Sequence, residues 1–209
     1  MPVATPFSFF TIQYRTEGLY KEKGSKFLSF AIPVLSESEI KDHLKALRKE
    51  YFDARHHCYA YRLGADLKKF RAADDGEPNH SAGDPILGQI RSRNLTDILI
   101  VVIRYFGGVK LGIGGLTQAY KAAAEDALRK AVIIEKDVVE QFDLVYDYVA
   151  TPEVMKLIKE FEASISEQNF TDNCKLSLIV KRKFRGQWLE KIKLLNATGT
   201  HVEMISVSM

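Results

Sequence analysis

Residues 96–106 read TDILIVVIRYF, an almost unbroken apolar run in which β-branched side chains dominate. A strand with one wet face alternates in polarity, so this pattern specifies a strand buried on both faces. Whatever the chain folds into must cover that strand from two sides. A length of 209 residues, with 46% hydrophobic and 27% charged side chains, supplies an ordinary soluble core, as one large domain or two small ones.

The flanking sequence reads as alternating elements. FFTIQYR (9–15) and SKFLSFAIPVL (25–35) alternate as strands, with EGLYKEKG between them read as a turn. Ser36 and Glu39 form an S-x-x-E capping box, followed by Ile40, Leu44, Leu47 and Tyr51 on one helical face. HHCYAYRLG (56–64) is a strand, and KKFRA pairs with it across the Gly64–Leu67 turn. DDGEPNHSAGDP is a turn-rich loop, and a short helix runs from Pro85 through Arg91. LTQAYKAAAEDALRKA is an Ala-rich helix. Beyond Lys136 the order becomes βαββαβ, the ferredoxin-like plan, with Thr151 as N-cap and Pro152 at the first helical position. The last strand is read as GTHVEMISVSM, to the end of the chain. The expected fold is α+β in two domains, 1–136 and 137–209.

Between the apolar strand and the Ala-rich helix lies RYFGGVKLGIGGLTQAY, with five of the thirteen glycines inside nine residues. Strand, glycines and helix in that order let backbone N–H groups converge on an anion, because glycine admits close approach and the helix start adds partial positive charge. Arg104 and Lys110 add full charges, so Arg104, Gly107, Gly108, Lys110, Gly112, Gly114 and Gly115 form a candidate anion or nucleic-acid site. The known phosphate fingerprints fail here: Ile113 and Gly114 stand where Walker A needs Lys and Ser or Thr, and Thr117 breaks the dinucleotide pattern. The alternative use of these glycines is architectural, as tight turns that seat the helix on the sheet.

Asp74, Asp75 and Glu77 form an acidic cluster that could support the glycine run or hold Mg²⁺. The plainer alternative has them capping the next helix or pairing with Arg62 and Arg71. His56, His57 and Cys58 present at most two metal ligands on one strand face, too few for a structural zinc. KRKFRGQW (181–188) interleaves Lys181, Arg182, Lys183 and Arg185 with Phe184 and Trp188, as RNA-binding sheets do, or as a solvated strand end does.

Charge separates along the chain. From Asp137 onward nine Lys and Arg face eleven Asp and Glu, a net of −2, which leaves +5 for residues 1–136. A mildly basic front part permits an anionic partner. No apolar run reaches bilayer length, and MPVATPFSFFTIQYR lacks a secretory signal pattern, so a cytoplasmic location and no membrane partner are expected. Two cysteines, Cys58 and Cys174, fit a reducing compartment.

GSKF (24–27), HHCYAYRLG, DDGEP with AGDPIL, and above all RYFGGVKLGIGGLTQAY resemble the signature segments of the YigZ/IMPACT family over residues 18–125. The tail resembles the small C-terminal domain of its bacterial branch. The resemblance implies a first domain sharing the α/β sandwich fold of a ribosomal-protein domain and the GHMP kinases, and a second like a ferredoxin-like domain of elongation factor G. It further implies action in translation: eukaryotic IMPACT proteins compete for the activator of a stress kinase, and nucleic-acid or ribosome association is the usual proposal for bacterial members. Two positions depart from the pattern. Asn79-His80-Ser81 stands where the family commonly has Ser-Gly-Thr, and Gln118 where it has arginine.

The expectation is a non-enzymatic regulator without a cofactor, binding RNA, the ribosome or a translation-associated protein. Its rivals are an Mg²⁺-dependent enzyme on a phosphorylated or nucleotide substrate and a pure protein-interaction module.

Overall fold

The computed structural model describes residues 6–171 and 173–206 and divides into two compact units, Met1–Lys136 and Asp137–Met209.

The first unit is built on strands β2 (Thr16–Glu22), β3 (Ser25–Pro33), β4 (His56–Leu63), β5 (Lys69–Ala73) and β6 (Ile98–Tyr105), with β1 (Ser8–Ile12) and β7 (Ile133–Asp137) paired separately. The five-stranded sheet runs β2-β3-β6-β4-β5, every neighbouring pair antiparallel. β6 sits in the middle, and Ile98 through Ile103 are wholly buried. Its two faces feed two cores. Ile98, Ile100 and Val102 pack under α2 (Gly83–Ser92) and α3 (Gly112–Arg129), while Leu99, Val101 and Ile103 pack under α1 (Glu37–Glu50) through Ile40 and Leu47. The sequence called for cover on both sides, and helices supply it although the sheet is antiparallel.

Three readings shift. EGLYKEKG, read as a turn, is mostly the edge strand β2, and the turn is only Lys23-Gly24, both at positive φ. Gly18 is needed in β2 because a Cβ there would collide with the Ala127 backbone, so this strand lies directly under α3. The helix expected from Leu116 begins at Gly112, so three of the run's glycines form its first turn. Ser36 caps α1 by accepting from the Glu39 amide, but Glu39 reaches back to the Leu35 amide rather than to that of Ser36.

The second unit contains β8 (Val139–Tyr146), α4 (Thr151–Glu160), β9 (Ser164–Phe170), β10 (Cys174–Lys181), α5 (Arg185–Ala197) and β11 (Val202–Ser206). The sheet order β11-β8-β10-β9, antiparallel throughout, is the ferredoxin-like arrangement. Phe142, Leu144, Leu176 and Leu178 from alternate strand positions meet Val154, Leu157, Trp188 and Ile192 from the two helices. Thr151 is the first residue of α4 rather than its cap: a 3₁₀ turn at Tyr148–Ala150 leads into it and Ala150 takes the cap position. The end of the final strand as read, residues 207–209, lies outside the described residues.

Candidate anion site

β6 carries Arg104 to the end of the sheet, where His56 of β4 stands opposite it in register. Its side chain leaves the sheet on the α3 side and is nine-tenths buried, with the guanidinium 5.5 Å from both the Phe27 and Phe106 ring centroids. Glu77 supplies the countercharge: Arg104 Nη1 donates to Glu77 Oε1 across 2.7 Å. The same oxygen accepts from the Tyr120 hydroxyl at 2.8 Å, and Tyr120 in turn accepts from the Cys58 thiol at 3.3 Å. Burial pushes the Cys58 thiol and the Tyr120 hydroxyl well above their ordinary ranges, so both stay protonated donors. This chain ties β4, the acidic loop, α3 and β6 into one rigid support for the guanidinium. Arg104 Nε is buried without a hydrogen-bond partner.

The acidic loop is used internally. Asp74 Oδ1 accepts from the amides of Ala82 and Gly83, and Oδ2 from the amide of His80. Burial alone would raise this carboxyl, but the donated N–H bonds outweigh it and hold it below the usual carboxylate range. Asp75 accepts from the His57 amide and from Arg48. Glu77 faces Arg104. His80 occupies a left-handed φ of 64°, a backbone conformation that glycine adopts more readily than histidine. The three carboxylates therefore answer three separate partners instead of converging, and among the described residues no group of three or more His, Cys, Asp or Glu could hold a metal ion. The Mg²⁺-enzyme alternative required that convergence. Asp74 does seat α2, as the plainer reading held, but neither it nor its neighbours pair with Arg62 or Arg71.

The glycines divide by role. Gly107 is architectural: its amide donates to Ser25 Oγ, and a Cβ would overlap the backbone of Gly24 and Ser25. It is thereby removed from the candidate binding amides. Gly108 and Gly112 adopt φ of 88° and 72°, and Gly112 and Gly114 face open space where a Cβ would stand. No side chain caps α3, so its first-turn amides lack both an intrahelical and a side-chain partner. Lys110 is exposed and, with Glu77, Arg104, Phe106 and Gly112, lines a depression of about 270 Å³ at this turn. Arg104, Phe106 and Lys110 also line a neighbouring depression of about 610 Å³ with Asp53, Arg55 and His56; the sequence had weighed His56 only as a metal ligand and had not singled out Arg55. The signal for Arg55 was its place directly before the His56–Cys58 strand. The two depressions share Arg104, Phe106 and Lys110.

The second basic stretch is arranged differently. Lys181 bonds Glu162 and Asp137, Lys183 lies 3.8 Å from Asp137, and Arg182 and Arg185 each lie 3.3 Å from Glu140. Trp188 is fully buried between Phe142 and Phe161, and Phe184 packs on Phe161. The outward positions of β8 and β10, such as Gln141, Asp143, Lys175 and Ser177, carry no aromatic ring. The stacking rings needed for RNA recognition by such a sheet are in the core.

No helix among the described residues is long and apolar enough to cross a membrane.

Comparison with known proteins agrees with these motifs. Residues 23–128 match the model of the Impact N-terminal domain, a span that holds the acidic loop, β6 and nearly all of α3. The chain is 30% identical over 176 residues to the Bacillus subtilis IMPACT family member YvyE, covering 84% of this chain and 81% of that protein. It is 32% identical over 150 residues to the Escherichia coli member YigZ, covering 71% and 74% respectively. A crystal structure described as that of a hypothetical protein superposes with a TM-score of 0.75 at 25% identity, covering 97% of this chain and 98% of that one. The matched residues include every group of the Arg104 network, from Cys58 to Tyr120, and on that basis the chain belongs to the IMPACT family.

Proposed function

We propose that this protein acts in translation or its regulation as a non-enzymatic binder of RNA or the ribosome, with the start of α3 as its phosphate-recognition element. One observation carries the reading: α3 begins without a side-chain cap, on glycines that leave its first turn bare, at a depression that the exposed Lys110 and the buried Arg104 also line. An uncapped helix start favours an anion through its amides and its partial positive charge. Arg104 is fixed before any ligand arrives, so little ordering entropy remains to be lost on binding. Asp74, Asp75 and Glu77 organise this support rather than touching the ligand. The family resemblance supports the reading, since translation is the setting that it implies.

A protein partner is the second reading, favoured by Phe106, Val109 and Ile113, which are 58%, 50% and 64% exposed around the same site. Binding to ribosomes and structured RNA across a salt series separates the two. Phosphate contact requires affinity that falls linearly in log–log form with salt and weakens in Lys110→Gln. Absence of affinity, or affinity without a salt slope, overturns it in favour of the protein partner.

A further inference from the structure

At the end of β4 remote from the glycine run, two guanidinium groups lie close together without an ion-pairing acid, and the exposed Lys68 follows in the adjoining turn. Arg62 of β4 stands opposite Phe70 of β5 in register, on the face covered by α2. Arg91, in the last turn of α2, lays its guanidinium 4.3 Å from the Phe70 ring centroid. Arg62 Nε donates to the Leu67 carbonyl, which ties it to the turn that carries the exposed Lys68. The Arg62 guanidinium is pushed below its ordinary pKa, first by burial and then by the charge of Arg91. The nearby carboxylates are engaged elsewhere: Asp66 accepts from the Lys68 amide, Glu37 takes the Tyr61 hydroxyl and Lys69, and Asp97 accepts from the Gly64 amide. Among the described residues, no carboxylate forms an ion pair with Arg62, Lys68 or Arg91.

The helix C-terminus accounts for Arg91 alone, since its partial negative charge attracts one cation. It does not account for a second guanidinium beside it, which costs free energy until an anion arrives. A guanidinium stacked on a ring keeps its fork in a fixed plane, matched to two phosphate oxygens.

We propose that Arg62, Lys68 and Arg91, with Phe70, form a second phosphate-binding site for nucleic acid. The proposal rests on the reading of the first site as one for RNA. Six residue steps along β4 take the chain from His56 to Arg62, roughly 20 Å along the strand, so the two sites lie at opposite ends of one strand, and Arg62 and Arg104 both leave the sheet on the side covered by α2 and α3. A phosphodiester strand repeats its charge along its length and can occupy both. Phe70, 48% exposed, offers its remaining surface to a base.

The test measures binding of single-stranded RNA of about 12 nucleotides by fluorescence anisotropy over a salt series. It compares the full chain with Lys68→Gln/Arg91→Gln and with Lys110→Gln. All three side chains are exposed, and thermal unfolding verifies that each variant is folded. The double variant is expected to lose about tenfold in affinity at low salt and to flatten the log–log slope by about 1.4, at 0.7 per lost contact. Loss in Lys110→Gln with none in the double variant overturns this site and leaves the first. The reverse pattern supports this site and overturns the first. RNA binding by neither variant nor wild type overturns both. If poly-glutamate binds with the same sensitivity to Lys68→Gln/Arg91→Gln while RNA does not, the partner is an acidic protein and the nucleic-acid proposal fails.

Discussion

Glu77 Oε1 accepts from Arg104 Nη1 at 2.7 Å with the two side chains only 4% and 7% exposed. The pair joins the acidic loop to the end of the central strand, and its stability and its function follow from the same geometry. Taking one partner away strands a charge where water cannot reach it.

Glu77→Ala should therefore cost about 3–5 kcal/mol, as for other buried pairs broken on one side. The double variant Glu77→Leu/Arg104→Met should cost less than the sum of its single changes, because no lone charge remains. Urea unfolding of the four proteins gives the coupling; strict additivity would show that the pair is not the unit described.

Gly114→Ala should stabilise the fold by about 0.5–1 kcal/mol, since the methyl meets open space in the first turn of a helix. The same methyl covers part of the first-turn amide surface, so RNA affinity should fall while the melting temperature rises. Gly107→Ala is the contrast. It overlaps the backbone of Gly24 and Ser25 and should destabilise strongly.

Asp74 holds three amides at the start of α2, and its carboxyl lies below the usual carboxylate range. A depressed folded pKa stabilises above the unfolded value of about 3.9, and the benefit disappears as pH falls through the lower folded value. Asp74→Ala should lose about 2 kcal/mol at neutral pH. Denaturant midpoints at pH 7 and in strong acid should show the gap to the parent chain narrowing as Asp74 protonates.

Cys58 and Cys174 are both buried, and the Cys58 thiol is pushed far from thiolate character by burial. A disulfide reagent should titrate neither thiol in the native protein and both after denaturation. Rapid native labelling of Cys58 would show that the network around Tyr120 opens.

The central strand, the two-faced burial and the βαββαβ tail were legible because periodicity and apolar content state them locally. The edge strand β2 was not. EGLYKE has the composition of a turn, and only hydrogen bonding to β3 and cover from α3 make it a strand. The glycine run misled in a different way, since glycine marks both bends and uncapped helix starts, and which one occurs depends on where α3 lands.

By itself, the sequence determined that one strand must be covered from both sides, that glycines precede an Ala-rich helix, and that an acidic loop and a basic, glycine-rich run both fall in the first domain. Tertiary structure alone decided their partners. It gave Glu77 to Arg104, Asp74 to the start of α2 and Gly107 to the backbone of Gly24, and it left Lys110, Lys68 and Arg91 facing solvent. The reason is that burial and pairing are set by what lies opposite across the sheet, residues that are tens of positions apart in the chain.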